Sequence, residues 1–185
     1  MASLTTPVCD FNTLASDFDL SDIYGSIWNL NKAAGENGLL IMFICNHCPY
    51  IKAILPRLVE DTRKLKDEYG INSVAIMSND QSLYDEDSTE NMIQISEKMN
   101  FSFPYLIDET QEVAKAYGAV CTPDFFGLSK HMTLQYRGRF NASRKKTAPE
   151  GTHRDLFEAM KQIAQTSKGP SEQIPSMGCS IKWKE

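Results

Sequence analysis

Six consecutive apolar residues, Leu39-Leu40-Ile41-Met42-Phe43-Ile44, lie between Gly38 and Cys45 and lead straight into Cys45-Asn46-His47-Cys48-Pro49. A strand with one wet face alternates apolar and polar residues. An unbroken run is the pattern of a strand covered on both faces, usual for a central strand of an α/β sheet. Directly after it, Ile51, Ile54, Leu55, Leu58, Val59 and Leu65 recur at helical spacing up to Tyr69-Gly70, and Gly70 suits a helix stop. Pro56 falls inside that period, so a kink or a missing backbone hydrogen bond is expected near it. Buried strand, cysteine-bearing turn and helix therefore follow one another with no linker between them.

The same order then repeats. Residues 73–77 read as a second buried strand, followed by a polar stretch over 78–89 and a helix over 90–99. Tyr105-Leu106-Ile107 reads as a short strand and residues 109–117 as a short helix stopped by Gly118. Residues 124–128 with 132–137 read as a hairpin, and Thr152 as the cap of a last helix reaching about residue 165. Before residue 39, Ser26-Ile27-Trp28-Asn29-Leu30 alternates like an edge strand or hairpin. Residues 167–185 hold Gly169, Pro170, Pro175 and Gly178 and read as an irregular tail. Strands and helices in this order predict an α/β sandwich with a mixed sheet, and 185 residues without an internal repeat predict a single domain over 1–185.

Apolar residues at 42% and charged residues at 23% supply an ordinary buried core. A net charge of −5 gives a mildly acidic surface with no attraction for phosphate backbones, which argues against nucleic acid as a partner. The first twenty residues have neither a basic segment nor an apolar one of the kind that secretory signals carry, and no apolar run approaches the ~20 residues a bilayer needs. A cytoplasmic location and no membrane contact are expected. Five cysteines are too few and odd in number for a secreted disulfide framework, so they should be thiols unless chemistry uses them.

The spacing of the cysteines points to such chemistry. Cys45 is expected at or just before the helix N-terminus, where free N–H groups and the positive helix end lower a thiol pKa from ~8.5 into a range of roughly 3.5–7.5. Cys45 is then the candidate nucleophile. Cys48, three residues on, would resolve a mixed disulfide on it, and Pro49 fits the first helical turn. A structural zinc site needs two more ligands near the pair, whereas Cys9, Cys121 and Cys179 are scattered, so no metal is expected. Haem attachment is excluded because Pro49, not His, follows Cys48. Asp85-Glu86-Asp87 lacks the ligand spacing of a calcium loop and reads as solvated.

The run Phe43-Ile44-Cys45-Asn46-His47-Cys48-Pro49-Tyr50 resembles the active site of the thioredoxin-like redoxins. Within them it is most similar to the peroxiredoxin-like, thiol-specific antioxidant branch that has Asn46-His47 between its cysteines. Asp17-Phe18-Asp19-Leu20, Ser78-Asn79-Asp80, Phe103-Pro104-Tyr105, Thr122-Pro123-Asp124-Phe125 and Gly178-Cys179-Ser180-Ile181-Lys182-Trp183 extend the likeness over most of the chain. The resemblance implies a thioredoxin-like three-layer sandwich, a central mixed sheet flanked by helices, with an N-terminal β extension. It also implies a cis proline at Thr122-Pro123 facing the CxxC pair, where the Thr122 backbone would accept an extended substrate strand at its edge.

Two departures from the family bear on the chemistry. Thioredoxins carry a buried carboxylate six residues before the first cysteine, and Leu39 stands there, so Cys48 must lose its proton elsewhere. His47 before the second cysteine is similar to oxidising members; an imidazolium there favours the reduced thiolate and implies a potential above ~−270 mV. Its dull alternative is a ring pointing to solvent. Peroxiredoxins place Thr three residues before their reactive cysteine, and Met42 stands there relative to Cys45, which puts peroxide reduction second. Arg137 and Arg139 would lend charge to a thiolate or be solvated beside the hairpin glycine. Cys121 is either a third thiol near the site or buried filler, and Cys179 either a resolving thiol or an unpaired one in the tail.

The resulting expectation is a cofactor-free thiol–disulfide oxidoreductase that contributes to thiol redox homeostasis. It would act on a protein or small-molecule disulfide or thiol, with a thiol reductant such as thioredoxin or glutathione. A thiol peroxidase and a non-catalytic thioredoxin-fold binding module are the alternatives.

Overall fold

A computed structural model describes residues 3–184. In chain order its elements are β1 (Ser3–Thr5), β2 (Leu20–Asp22), β3 (Ile27–Trp28), α1 (Leu30–Ala33), β4 (Gly38–Phe43), α2 (Pro49–Tyr69), β5 (Ile71–Met77), α3 (Thr89–Met99), β6 (Tyr105–Ile107), α4 (Glu112–Tyr117), β7 (Cys121–Thr122), β8 (Asp124–Ser129), β9 (Leu134–Tyr136), α5 (Asp155–Thr166) and β10 (Met177–Ser180). Seven strands form one sheet in the order β3-β2-β6-β5-β4-β8-β9, and a second, three-stranded sheet runs β1-β10-β7. Within the large sheet β4 pairs parallel with β5 and antiparallel with β8, while β5 pairs parallel with β6. The sheet is therefore mixed, as expected, and β4 lies inside it.

The unbroken apolar run has the burial it predicts. Leu40 and Met42 pack on the side of α2 and α5, with Leu58, Met160 and Ile163, whereas Leu39, Ile41 and Phe43 pack on the other side with Ala33 of α1, Ala114 of α4 and Phe126. Period-two alternation sends neighbouring side chains to opposite faces, so a strand with helices on both sides needs apolar residues at every position. Burial of each such side chain contributes roughly 1.5–3 kcal/mol. The helices on both faces make the three layers.

α2 runs to Tyr69 with Pro56 inside it, and Gly70 ends it in the left-handed conformation at φ 65°, a region that glycine enters without steric cost. The hairpin expected after Pro123 is β8–β9. Three local expectations are corrected. Thr152 does not cap the last helix: its hydroxyl donates to the Pro149 carbonyl, and Arg154 precedes α5. The helix expected over 109–117 starts only at Glu112, because Asp108 accepts the N–H of Ala114 and Gln111 is left-handed. The tail expected to be irregular over 167–185 contains β10, clamped between β1 and β7; residue 185 lies outside the described residues.

Parallel β4 and β5 end side by side, so the turn after Phe43 meets the loop after Met77. Crevices at the carboxyl ends of such strands are where open α/β sheets carry their ligands.

Candidate active site

Cys45 follows β4, and Cys48 is the residue that caps the N-terminus of α2, with Pro49 as its first helical residue. The helix-terminal place expected for Cys45 thus belongs to Cys48, one helical turn further along. Both sulfurs are buried, the residues being 1% and 0% exposed. Burial pushes the Cys45 thiol well above its ordinary value, and the hydrogen bond it gives Cys48 and the nearby Asp87 charge push the same way. The lowered pKa expected for Cys45 is therefore not found. At Cys48 the bond from Cys45 outweighs burial and, with the Cys179 thiol and the N–H groups of Ile51 and Cys179, holds the pKa down at about 5. Donors converging on one sulfur favour its charged form.

The turn itself is fixed from the loop after β5. One oxygen of the Asp87 carboxylate accepts the backbone N–H groups of Asn46 at 2.8 Å and His47 at 3.1 Å, and the other lies 2.6 Å from His47 Nδ1. Asn79 donates to that second oxygen at 3.1 Å. The Asn46 amide reaches the Glu86 carbonyl at 2.8 Å and accepts from the Tyr105 hydroxyl at 3.2 Å. The His47 ring stacks on Tyr84 at 3.9 Å between centroids and is 7% exposed, so it does not point to solvent. Asp87 is fully buried, which overturns its reading as part of a solvated acidic loop. Burial pushes its carboxyl up, yet the bonds from His47 and Asn79 outweigh this and hold it below its ordinary value. His47 Nε2 is buried without a hydrogen-bond partner among the described residues.

Cys45, His47 and Asp87 offer ligand atoms within 4.8 Å of one another. Two of those groups are already joined by the Nδ1–carboxylate bond, which leaves Nε2 as the unengaged ring nitrogen. The same trio places a carboxylate–imidazole pair beside the Cys45 thiol, although Leu39 fills the position where thioredoxins keep their buried acid.

The Thr122–Pro123 bond is cis. The Thr122 hydroxyl lies 3.2 Å from Cys45 Sγ, and its carbonyl is 3.1 Å from Cys48 Sγ, which donates to it when protonated. The Thr122 backbone is not a free edge, because β10 pairs with it. Cys121 is buried, its sulfur 3.6 Å from the Pro123 carbonyl, and burial raises its pKa. Cys179 is no thiol of a loose tail: it is 2% exposed, and its sulfur lies 2.9 Å from that of Cys48. Arg137 is likewise not solvated. It pairs with the buried Asp124 at 3.0 Å, donates to the Gly118 carbonyl at 2.7 Å and lies over the Phe126 ring. Cys9 is half-buried and its pKa is raised to about 11.

The sequence profile of the AhpC/TSA family matches residues 11–144, a span that holds the CxxC turn, Asp87, the cis proline and Arg137. The chain belongs to the AhpC/TSA family. Two solved structures are similar to this AhpC/TSA protein throughout. An uncharacterized conserved protein from Geobacillus kaustophilus is 38% identical, with a TM-score of 0.93 over 100% of this chain and 97% of that one. A hypothetical protein from Sinorhizobium meliloti is 34% identical, with a TM-score of 0.91 over 99% of each chain. A secreted disulfide oxidoreductase from Mycobacterium tuberculosis, at 14% identity and a TM-score of 0.57 over 80% of this chain and 94% of that one, shares the fold. No curated protein matches the chain. The thioredoxin-like fold implied by the CNHC motif is thus the fold of this AhpC/TSA protein. No helix among its described residues is long and apolar enough to cross a membrane.

Proposed function

We propose that this AhpC/TSA protein is a thiol–disulfide oxidoreductase whose working pair is Cys45 and Cys48. The observation that carries the reading is the convergence of both buried sulfurs on Thr122 at the cis Thr122–Pro123 bond: Cys45 Sγ is 3.2 Å from its hydroxyl, and Cys48 Sγ, at the N-terminus of α2, is 3.1 Å from its carbonyl. The Cys48 thiolate attacks one sulfur of a substrate disulfide, forming a mixed disulfide and expelling the other sulfur as a thiolate that takes a proton from solvent. Cys45 loses its proton toward the Asp87–His47 pair, whose ligand atoms lie within 4.8 Å of its sulfur, attacks the Cys48 sulfur, and releases the second substrate thiolate. The substrate gains two electrons and the pair becomes a disulfide. A dithiol reductant, or two glutathiones, runs the same exchange in reverse, and the poise of the compartment sets the net direction. Asn46 holds the turn, Pro49 starts the helix, and Thr122 with Pro123 lines the sulfurs. No cofactor enters the cycle.

A second reading, peroxide reduction, is favoured by the same lowered Cys48 pKa. Cys48 would take one oxygen from hydrogen peroxide to give a sulfenic acid and hydroxide, and Cys45 would expel water to close the same disulfide. Measured against Cys48, the residue three positions earlier is Cys45, whose S–H supplies the donor that a threonine hydroxyl would.

Equilibration in graded glutathione buffers, followed by alkylation and peptide mass spectrometry, tests the first reading. Cys45 and Cys48 should change state as one two-electron couple, with a midpoint expected above ~−270 mV. Cysteines that stay unlinked at every poise would remove it and leave a binding module. Rapid oxidation of Cys48 by stoichiometric peroxide would move the second reading forward.

A further inference from the structure

The edge that a substrate strand would use is filled by the chain itself. Cys179 of β10 is the partner of Thr122 in the antiparallel register, and Ser180 that of Cys121. The approach is close: a Cβ added at Gly178 would stand 2.1 Å from the Thr122 carbonyl oxygen and 2.9 Å from Pro123 N, so no other residue fits there without displacing the strand. β1 holds the opposite edge of β10, pairing Ser3 with Cys179 and Thr5 with Met177. The Ser176 hydroxyl donates to the Pro123 carbonyl at 2.9 Å, and the Ser176 N–H to the Thr6 hydroxyl at 3.0 Å. These contacts keep Cys179 Sγ at 2.9 Å from Cys48 Sγ. Burial and the bond to Cys48 push the Cys179 thiol up to about 12, so it stays protonated while Cys48 is charged.

We propose that Cys179 is a second resolving partner for Cys48, closing a Cys48–Cys179 disulfide as an alternative to Cys45–Cys48. The inference rests on the reading that Cys48 is the reactive sulfur. Starting from the Cys45–Cys48 disulfide, Cys179 loses its proton and attacks the Cys48 sulfur. The Cys48–Cys179 bond forms, the Cys45–Cys48 bond breaks, and Cys45 leaves as a thiolate that takes the proton. No electron is gained or lost: the oxidised pair is relocated to β10 and Cys45 is returned as a thiol. Starting from a mixed disulfide on Cys48, the same attack releases the substrate thiolate directly and leaves the protein oxidised by two electrons.

The test is disulfide mapping. Cys45→Ser, Cys179→Ser, Cys48→Ser and Gly178→Ala variants of the full chain are oxidised with diamide, alkylated in acid and mapped by unreduced peptide mass spectrometry. Cys45→Ser should give an intramolecular Cys48–Cys179 link, Cys179→Ser a Cys45–Cys48 link, and Cys48→Ser neither. Gly178→Ala keeps every thiol but pushes β10 off Thr122, and should lower the ratio of Cys48–Cys179 to Cys45–Cys48 by about tenfold or more. Absence of the Cys48–Cys179 link in folded Cys45→Ser, while Cys179→Ser still closes Cys45–Cys48, overturns this inference and leaves the proposed function standing. An unchanged ratio in Gly178→Ala overturns it as well, independently of how Cys45→Ser folds. Failure of Cys45–Cys48 to close in Cys179→Ser, with the Cys48–Cys179 link present in Cys45→Ser, supports the inference and removes the Cys45–Cys48 cycle instead.

Discussion

Asp87 grips His47 twice, accepting its backbone N–H at 3.1 Å with one carboxylate oxygen and meeting its ring Nδ1 at 2.6 Å with the other. One buried acid thereby fixes both the path of the turn between the cysteines and the orientation of the imidazole beside Cys45.

Asp87→Asn keeps one acceptor but loses the charge. The turn should loosen, at a cost of about 1–3 kcal/mol in urea unfolding. Closure of the Cys45–Cys48 disulfide should slow by roughly 10²-fold, the low end of what a positioned proton acceptor supplies. Alkylation of Cys48 should keep its rate, because the charge of Asp87 is not what ionises that sulfur. Equal slowing of both reactions would assign Asp87 a purely structural part.

The Cys48 pKa of about 5 sets a pH dependence. Iodoacetamide labelling of Cys48, followed by mass spectrometry, should be nearly flat from pH 6 to 8 and fall away below a midpoint near 5. Because the folded value lies below the ordinary 9.0, ionisation of Cys48 stabilises the fold most fully above pH 9 and loses that contribution as pH falls toward 5. Cys45 and Cys179, raised in the fold, act oppositely: their contribution is intact below their ordinary value of 9.0 and is lost as pH rises past it. Cys45→Ala removes the leading donor to Cys48, so the labelling midpoint should climb by about one pH unit, equivalent to about 1.4 kcal/mol. A midpoint that does not move would mean that the helix terminus and Cys179 alone hold the charge.

Arg137 and Asp124 form a buried ion pair next to the cis proline. Arg137→Ala strands the carboxylate and should cost about 3–5 kcal/mol in chemical denaturation. Arg137→Met with Asp124→Asn removes both charges and should recover more than half of that loss, since an uncompensated buried charge accounts for most of it. Equal losses in the single and double variants would show that the Gly118 contact and the Phe126 face matter more than the pair.

What the sequence disclosed was local in origin. The run 39–44 and the period from Ile51 to Leu65 each specify their own element, so β4, the cysteine turn and α2 are legible in one reading. The cis Thr122–Pro123 came through resemblance, because nothing in the two residues themselves fixes the isomer. Asp87 was hidden for two reasons: its contacts lie 40 and 41 residues away, and an acidic triplet normally faces water. Asp124 did carry a signal for Arg137. An acid opening a strand expected to be buried calls for a cation on its hairpin partner, and Arg137 is the cation within residues 132–137. β10 was masked by Gly178 and Pro175, residues that punctuate loops in general but here permit one strand to press against Thr122.

Cys45 and Cys48 leave the ribosome three residues apart, whereas Cys179 follows Cys48 by 131 residues. At synthesis rates of about 5–20 residues per second, the CxxC pair is exposed for roughly 7–26 s before the strand that completes the sulfur cluster exists. During that interval an oxidant meeting the nascent chain finds Cys45 as the nearest neighbour of Cys48. Of Cys45 and Cys179, only Cys45 is within reach of Cys48 until β10 has been made.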